Sequence, residues 1–446
     1  MEAAMTQELA WKLVPPSIGA LLALGCLYLA MRTGARQRLV DNLPTSKTTG
    51  VFVGLVEVQG TAESEVPLTS FLAERSCVFY RWSIEEHWSR TVTETYTDSK
   101  GQTHTRTRRE SGWSTVAAGG QSAPFYLRDD HGVVLVRPEG AEIQPAVVLS
   151  ATCGPGDLLY YAKGPAAAVA NSDHRRRFFE SAVVLHAPLY VLGQARERSD
   201  VVAPEIAHDK SAPLFLISTR SEKLVSATMK AGAWIWAAIG LIFAAAGPAV
   251  ALLLCESEAE QIDPTPIALA GAAYLLAGAV GWVWMVFNSM VDLRQRVRQA
   301  WSLVDVQLKR RHDLIPRLVA TVSELRDYER RLQAEIADLR GQMATAPPGE
   351  AGPRDHAVGA VLAAIEERYP ELKSQAAFLN LQKELADTET RIALARDYFN
   401  AIAVHYNTRL EIVPDRFVAA LARMRPQALM AAGDFERAPV SVKLVA

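Results

Sequence analysis

Three stretches of the chain are predominantly apolar and carry no charge: residues 13–31, 231–254 and 266–287. Each is close to the ~20 residues that a helix needs to cross the hydrocarbon of a bilayer, so the pattern predicts three transmembrane helices. The second and third form a hairpin around an acidic loop, 255–265, which holds Glu256, Glu258, Glu260 and Asp263 and no base. Pro15 and Pro16 interrupt the start of the first. The N-terminal tail, 1–12, carries two Glu and one Lys, which is not the basic start of a secretory signal. Ala23-Leu24-Gly25-Cys26 fits a lipoprotein cleavage site poorly, so the first run reads as an uncleaved anchor.

Between the first two spans, 32–230, the pattern changes to short β-branched and aromatic runs. Residues 51–60, 77–84, 91–97, 103–109, 125–127, 133–136, 182–185, 189–193 and 215–218 read as strands. Asp98-Ser99-Lys100-Gly101 and Asp129-Asp130-His131-Gly132 read as turns. Many short strands at near-regular spacing predict a β-rich domain of barrel or sandwich type.

After the third span, 288–446, the period lengthens to that of a helix. Met290, Val297, Val304, Leu318, Leu325, Leu332 and Leu339 form one apolar row with seven-residue steps. Leu293, Trp301, Leu308, Ile315, Val322, Ile336 and Met343 form a second. This 3–4 spacing is that of a coiled coil, and it predicts that the third span continues straight into a long amphipathic helix. Arg311 and Glu329 interrupt the rows, and Pro316 removes a backbone donor and predicts a kink. A Pro/Gly-rich loop at 341–355 and a short helix at 356–368 follow. A second long helix, 374–413, carries Phe378, Leu385, Ile392, Phe399 and Tyr406 and is stopped by Pro414. A short helix at 416–424 and a strand-like tail at 440–444 close the chain. The two long helices are each other's obvious partners, as an all-α antiparallel helical bundle. The first long helix, 290–343, spans ~80 Å against ~60 Å for the second at 1.5 Å per residue. The uncovered stripe predicts a homo-oligomer through the bundle.

Three spans place 32–230 and 288–446 on one side. Arg32, Arg36 and Arg38, then Arg220, Lys223 and Lys230, then Arg294, Arg296 and Arg298 flank those segments. The distribution of basic residues therefore predicts that both large domains are cytoplasmic, in a multi-pass membrane protein. A net charge of −2 removes the bulk electrostatic case for nucleic acid. Four cysteines, at 26, 77, 153 and 255, form no CxxC pair and no disulfide scaffold. No metal or cofactor site is legible.

Candidate chemistry is sparse. His87, His104, His131, His174, His186 and His208 are scattered and read as surface histidines. Cys77 reads as inert core, and Cys153, in Thr-Cys-Gly-Pro-Gly, as more exposed. Arg106, Arg108 and Arg109, and the run Arg175-Arg176-Arg177, suit either anionic lipid headgroups or, more simply, solvated faces and intradomain ion pairs. Asp305, Arg310, Arg311, His312 and Asp313 lie within about two helical turns, beside Pro316. They lack a nucleophile and lack a second histidine at i+4, so buried ion pairs and solvated charges account for them best. Arg311 is the strongest single candidate for a functional position, or for a register-setting one.

The pieces Gly54-Leu55-Val56-Glu57-Val58-Gln59-Gly60, Cys77-Val78-Phe79-Tyr80-Arg81-Trp82, Pro124-Phe125-Tyr126-Leu127-Arg128-Asp129, Val136-Arg137-Pro138-Glu139-Gly140-Ala141 and Arg177-Phe178-Phe179-Glu180 resemble the GIDE domain. That domain is found in membrane-anchored E3 ubiquitin ligases and in many bacterial membrane proteins. The resemblance implies a binding module, because transfer chemistry in those ligases belongs to a C-terminal RING. A RING needs closely spaced Cys/His zinc ligands, and Cys255 is the only cysteine after residue 230. Phe287-Asn288-Ser289-Met290-Val291, Ala300-Trp301-Ser302, the run from Val304 to Pro316, Leu381-Gln382-Lys383-Glu384-Leu385-Ala386, Ala395-Arg396-Asp397-Tyr398-Phe399-Asn400 and Tyr406-Asn407-Thr408 resemble the LemA family. That likeness implies a membrane-tethered helical bundle. The combined expectation is a non-enzymatic scaffold or assembly protein whose GIDE-like domain has its own protein partner. Its rivals are an enzyme or enzyme-complex subunit, including a ubiquitin ligase, and an envelope or stress sensor.

The orientation is testable. A reporter active only in the cytoplasm should be active when fused after Ala446 and silent when inserted at Glu258. The reverse pattern defeats the orientation read from the basic residues.

Overall fold

The computed structural model describes residues 2–97, 102–198, 203–210, 212–255, 263–323 and 376–430. The expected loop at 341–355, the helix at 356–368 and the tail at 440–444 lie outside these residues. The chain folds as two compact units: Thr45–Val225, and Met1–Pro44 with Ser226–Ala446.

The second of these is helical. Helix α1 spans Glu2–Asp41, α3 Glu222–Cys255 and α4 Thr265–Ser323. By length and composition, all three can cross a membrane. Helix α1 continues ten residues beyond the apolar run, and Pro15 and Pro16 lie inside it. The spans pack through Ala23, Ala244 and Tyr274, and the Tyr274 hydroxyl donates to the Ala237 carbonyl at 3.0 Å. A methyl group on Gly19 would stand 2.8 Å from the Phe243 carbonyl oxygen and 2.9 Å from Gly247 Cα, so α1 and α3 meet backbone to backbone. Gly281, in the third span, lies against the flexible end of Met31.

The 59-residue α4 runs from the third apolar stretch into the amphipathic segment and on through Pro316, so the proline does not end it. Helix α5 (Ala376–Glu411) and helix α6 (Asp415–Leu421) follow. Val286 and Met290 pack with Leu410 and Val418, Trp301 meets Phe399 edge-on at 5.6 Å, and Arg311 meets Glu389. Position rises along α4 as it falls along α5, so the two are antiparallel. Met290, Leu293, Val297 and Val304 from the apolar rows are buried, as are Ile392, Phe399 and Tyr406.

Residues 424–430 then return along α5 as an extended strap. Asn407 donates to the Gln427 carbonyl and accepts from its N–H, both at 2.8 Å. Asn400 does the same with Met430, at 3.0 and 2.8 Å. Seven helical residues advance ~10.5 Å, and three extended residues advance ~10 Å. Two asparagines two turns apart therefore match two strap peptides three residues apart.

The Thr45–Val225 unit is β-rich. Five strands close on one another: β2 (Gly54–Glu63), β6 (Phe125–Arg128), β7 (Val133–Val136), β12 (Pro204–Ala207) and β11 (Pro188–Glu197), with β11 returning to β2. Strand β1 (Thr45–Ser46) joins β2, while β13 (Leu216–Ser218) joins β11 and carries β8 (Glu142–Gln144) on its far edge. Alternation places Val56, Val58, Leu127, Val134, Val136, Val191 and Ile206 inside, where they fill the small barrel. A second sheet contains β3 (Leu68–Thr69), β4 (Ser76–Thr97), β10 (Ser172–Val184) and β9 (Ala146–Cys153), with β5 (Thr103–Ser122) paired to β4. The two expected strands 77–84 and 91–97 are one 22-residue strand, and the return continues to Ser122. No proline or glycine breaks β4, and one irregularity at Ile84/Glu85 preserves the pairing. A short helix, α2 (Leu158–Ala162), has no periodic signal in the sequence.

The strap yields a local prediction. Asn407→Ala should accelerate hydrogen exchange at the Gln427 amide by about tenfold, with the α4–α5 contact still protected. Unchanged exchange at Gln427 would remove the asparagine as its anchor.

Candidate functional site

Of the five polar positions around Pro316, four have described side chains. Asp305 and Asp313 are exposed, whereas Arg311 is buried and reaches Glu389 on α5 at 3.4 Å. It acts as a pin between α4 and α5. The side chains of His312 and Pro316 lie outside the described residues.

A denser polar cluster joins five helices of this unit. Arg38 on α1 grips Asp415 at the start of α6 with two hydrogen bonds, 2.8 and 3.1 Å. Arg409 on α5 reaches the same carboxylate at 3.5 Å and Asp41 at 3.8 Å, and it donates to Asn42 at 2.9 Å. Asn42 donates to Ser289 on α4, and Ser226 on α3 donates to Asp41 at 2.6 Å. The Arg38 guanidinium lies 6.0 Å from the centroid of the Trp282 ring. Two arginines thus balance two aspartates, and Asp415 also sits at a helix N-terminus, where negative charge is favoured. His405 is pushed below its usual range by burial, and Arg409 adds to that. Arg38 and Asp415 are 377 positions apart, so no local spacing announces the pair.

Within the β-unit, one buried arginine is paired with a buried carboxylate. Arg176 reaches Glu86 at 3.3 Å, donates to the Tyr160 and Ala167 carbonyls, and lies 4.1 Å from the Tyr160 ring. Burial opposes ionisation of Glu86, yet hydrogen bonding from Ser172 and the Arg176 charge hold its carboxyl below the usual range. This pair fixes α2 to the second sheet. Arg177 pairs with Glu85 and stacks over Trp113. Of the basic run, two arginines therefore form intradomain ion pairs. Cys153 is buried, contrary to the exposed reading of its loop, because Phe178, Ile84 and Leu72 enclose it. Burial pushes its thiol up, and Asp157 adds to this. Cys77 is likewise pushed up to about 11, chiefly by burial. Neither environment makes a ready thiolate.

Glu57 is fully buried on β2, where it accepts hydrogen bonds from Thr45 at 2.7 Å and Tyr190 at 2.9 Å. Thr45 follows α1 closely in the chain, and Glu222, which opens α3, raises the Glu57 carboxyl further. Burial is the largest cause and brings it up to about 7.

The exposed side of this unit is the long β4–β5 hairpin. Strand β10 covers β4 only as far as Trp88, so 89–97 and 103–111 form a two-stranded arm. Nine residues extend it by ~30 Å. One of its faces pairs Thr93 with Thr107 and Thr95 with Thr105, while the other carries Arg90, Glu94, Arg106, Arg108 and Glu110. Among the described residues, no strand pairs with the outer edge of β5 along its 20 residues. An open edge of this kind is a template for another chain. At the base, an open groove of about 650 Å³ runs between Phe79, Arg81, Gly120 and Phe179.

Residues 300–444 match the LemA family, and residues 93–252 match the family described as GIDE, E3 ubiquitin ligase. Among curated proteins no match is found. The first match takes in Arg311, Asn400, Asn407, Arg409 and Asp415, and the second takes in β5, its groove-lining residues, Tyr160, Ser172 and Arg176, while Glu86 precedes it.

Glu57 gives the β-unit a pH dependence of definite sign. Its folded value, about 7, lies above the ordinary 4.5, so the folded state holds the proton more tightly. Its stabilising effect is complete below pH 4.5 and is lost as pH rises through about 7. The swing is on the order of 3 kcal/mol. Denaturant midpoints read by tryptophan fluorescence should fall over this window and flatten in Glu57→Gln. An equal slope in the variant would show that Glu57 is not the titrating group.

Proposed function

We propose that this chain is a membrane-anchored scaffold that presents its β-unit to a protein partner at the cytoplasmic face of a bacterial inner membrane. The observation that carries the reading is the β4–β5 arm with the open edge of β5. Solvent-exposed two-stranded ribbons are marginal on their own, and this one projects from a unit whose buried carboxyl groups are held by ion pairs or hydrogen bonds. The unit is inserted between α1 and α3, two helices apolar enough to span, so its strands remain at the membrane surface. The Arg38–Asp415–Arg409 cluster supports the same reading, since it ties the ends of the spans to α5 and α6.

Ubiquitin-ligase chemistry is the rival that the GIDE description suggests. The buried, upward-shifted thiols of Cys77 and Cys153 favour the scaffold, as they offer no thioester-forming nucleophile. A second copy of the chain is a further partner, through the apolar rows of the first long helix. Light scattering of the intact detergent-solubilised protein should then give a mass above one chain, and a monomer would end this part of the reading.

Mild detergent extraction tests the scaffold itself. Proteins that co-purify with the full chain should be lost when the arm is shortened by deleting 92–108, with membrane insertion unchanged. Partners retained on the shortened chain would sink the arm as the docking element. Discharge of a ubiquitin-loaded E2 that disappears in Cys153→Ser would replace the scaffold with the ligase.

A further inference from the structure

The open edge of β5 has a phase. Ala123 donates its N–H to the Val78 carbonyl at 3.0 Å, and the register pairs Phe79 with Ser122, Tyr80 with Gln121, Arg81 with Gly120, Trp82 with Gly119 and Ser83 with Ala118. In an antiparallel ladder, N–H and C=O of one residue point to the same side, and the side alternates along the strand. Gln121 and Gly119 therefore turn their backbone groups toward β4. Ser122, Gly120 and Ala118 turn theirs outward, where no described strand meets them.

Side chains alternate with the same period. On one face Trp82 lies against Gly119, where an added methyl would stand 3.1 Å from its ring, and Trp82 stacks on Phe71 at 4.4 Å. That face is filled. On the other face, β5 offers only Ala118, Gly120 and Ser122, all exposed. Beyond them lie Phe79 and Arg81 on β4 and Phe179 on β10, which form the groove. The short side chains of β5 leave a trough one strand wide between the open edge and this aromatic floor. Arg81 is exposed, and among the described residues its side chain makes no ion pair or hydrogen bond. Farther along the same face stand Arg109 and the Arg177–Glu85 ion pair, whose guanidinium is stacked over Trp113.

We propose that β5 receives an extended acidic segment of a partner protein as an added strand at Ala118–Ser122. Its backbone pairs with the outward groups of Ala118, Gly120 and Ser122. Its inward side chains cross the trough, an aromatic or apolar one against Phe79 and Phe179 and a carboxylate against Arg81. The charge of Arg81 at the trough, with Arg109 farther along, selects an acidic strand, and the absence of a side chain at Gly120 admits a long one. The inference rests on the reading of the β-unit as a partner-binding module and names the chemistry of the partner.

The test uses the full chain in detergent and a fluorescein-labelled nonapeptide in which Thr alternates with Glu and Phe. The control peptide has Lys in place of each Glu. Saturable binding of the acidic peptide should be about tenfold tighter than that of the control, and Arg81→Glu should reverse the order. Hydrogen exchange should slow at the Ala118, Gly120 and Ser122 amides on binding, with Gly119 and Gln121 already slow in the free chain. Ala118→Pro, which removes an outward donor and leaves the β4 ladder intact, should weaken binding severalfold. Retained protection of Gly119 and Gln121 in each variant shows that the hairpin is still folded. If a variant lost it, the exchange map of the native chain would decide alone. Absence of saturable binding, binding that leaves the three outward amides unprotected, or equal affinity for both peptides would overturn the proposal. A chain that fails here but still loses its co-purifying partner on shortening of the arm keeps the scaffold and loses only this site.

Discussion

The helical unit depends on one buried ion pair. Arg38 and Asp415 are almost wholly withdrawn from water, and each would be costly alone, by about 3–5 kcal/mol for a broken buried pair. Together with Arg409, Asp41, Asn42, Ser226 and Ser289 they satisfy one another at the point where α1, α3, α4, α5 and α6 converge. Apolar packing between helices is tolerant of sliding and rotation. A bidentate guanidinium–carboxylate contact is not, because it has one geometry. The cluster therefore determines how the ends of the apolar helices meet the amphipathic pair, and the register of α4 against α5 follows from it. Arg311 on α4 adds a single contact to Glu389 on α5, whose carboxylate is partly exposed.

In the β-unit, a different constraint applies. Closing β2, β6, β7, β12 and β11 on one another leaves no open edge within that ring and buries its apolar positions. The second sheet is left with the opposite condition. Its strands β4 and β5 outrun their neighbours, and β5 keeps a free side for its whole length among the described residues. Glycines 112 and 119 are covered by Trp88 and Trp82, which stiffens the hairpin at positions where it would otherwise be weak. A rigid core with an open, stiff edge is physically suited to binding. The description of the GIDE family as a ubiquitin ligase attaches to residues that include this edge, and the LemA family match attaches to the amphipathic helices.

Much of this architecture is legible in the amino-acid sequence. Uncharged runs mark helices long enough to span, since charge at a bilayer centre is expensive. The seven-residue rows mark α4 and α5, and Met290, Val297, Val304, Ile392, Phe399 and Tyr406 are buried as their spacing implies. The β character of 50–220 is readable from alternation and turns, but its extent is not. Strand β4 reads as two strands because threonines, Arg90 and Glu94 populate its outer half, where both faces meet solvent and alternation carries no hydrophobic signal. Cys153 reads as exposed because its neighbours are Gly and Pro, yet Phe178 and Leu72 reach it from elsewhere in the chain.

Local periodicity and composition are thus enough for three apolar helices, a β-rich segment between two of them, and an amphipathic helix pair after the third. They are not enough to say which polar residues matter, because charges act across space and not along the chain. Arg311 stands out by interrupting a periodic row, whereas Arg38 and Asp415 interrupt nothing and are 377 positions apart. Asn400 and Asn407 gain a role only when a strap of matching rise lies beside them. The outward backbone groups of Ala118, Gly120 and Ser122 become distinguishable from their neighbours only through the register of β5 against β4, which no side chain in that stretch encodes.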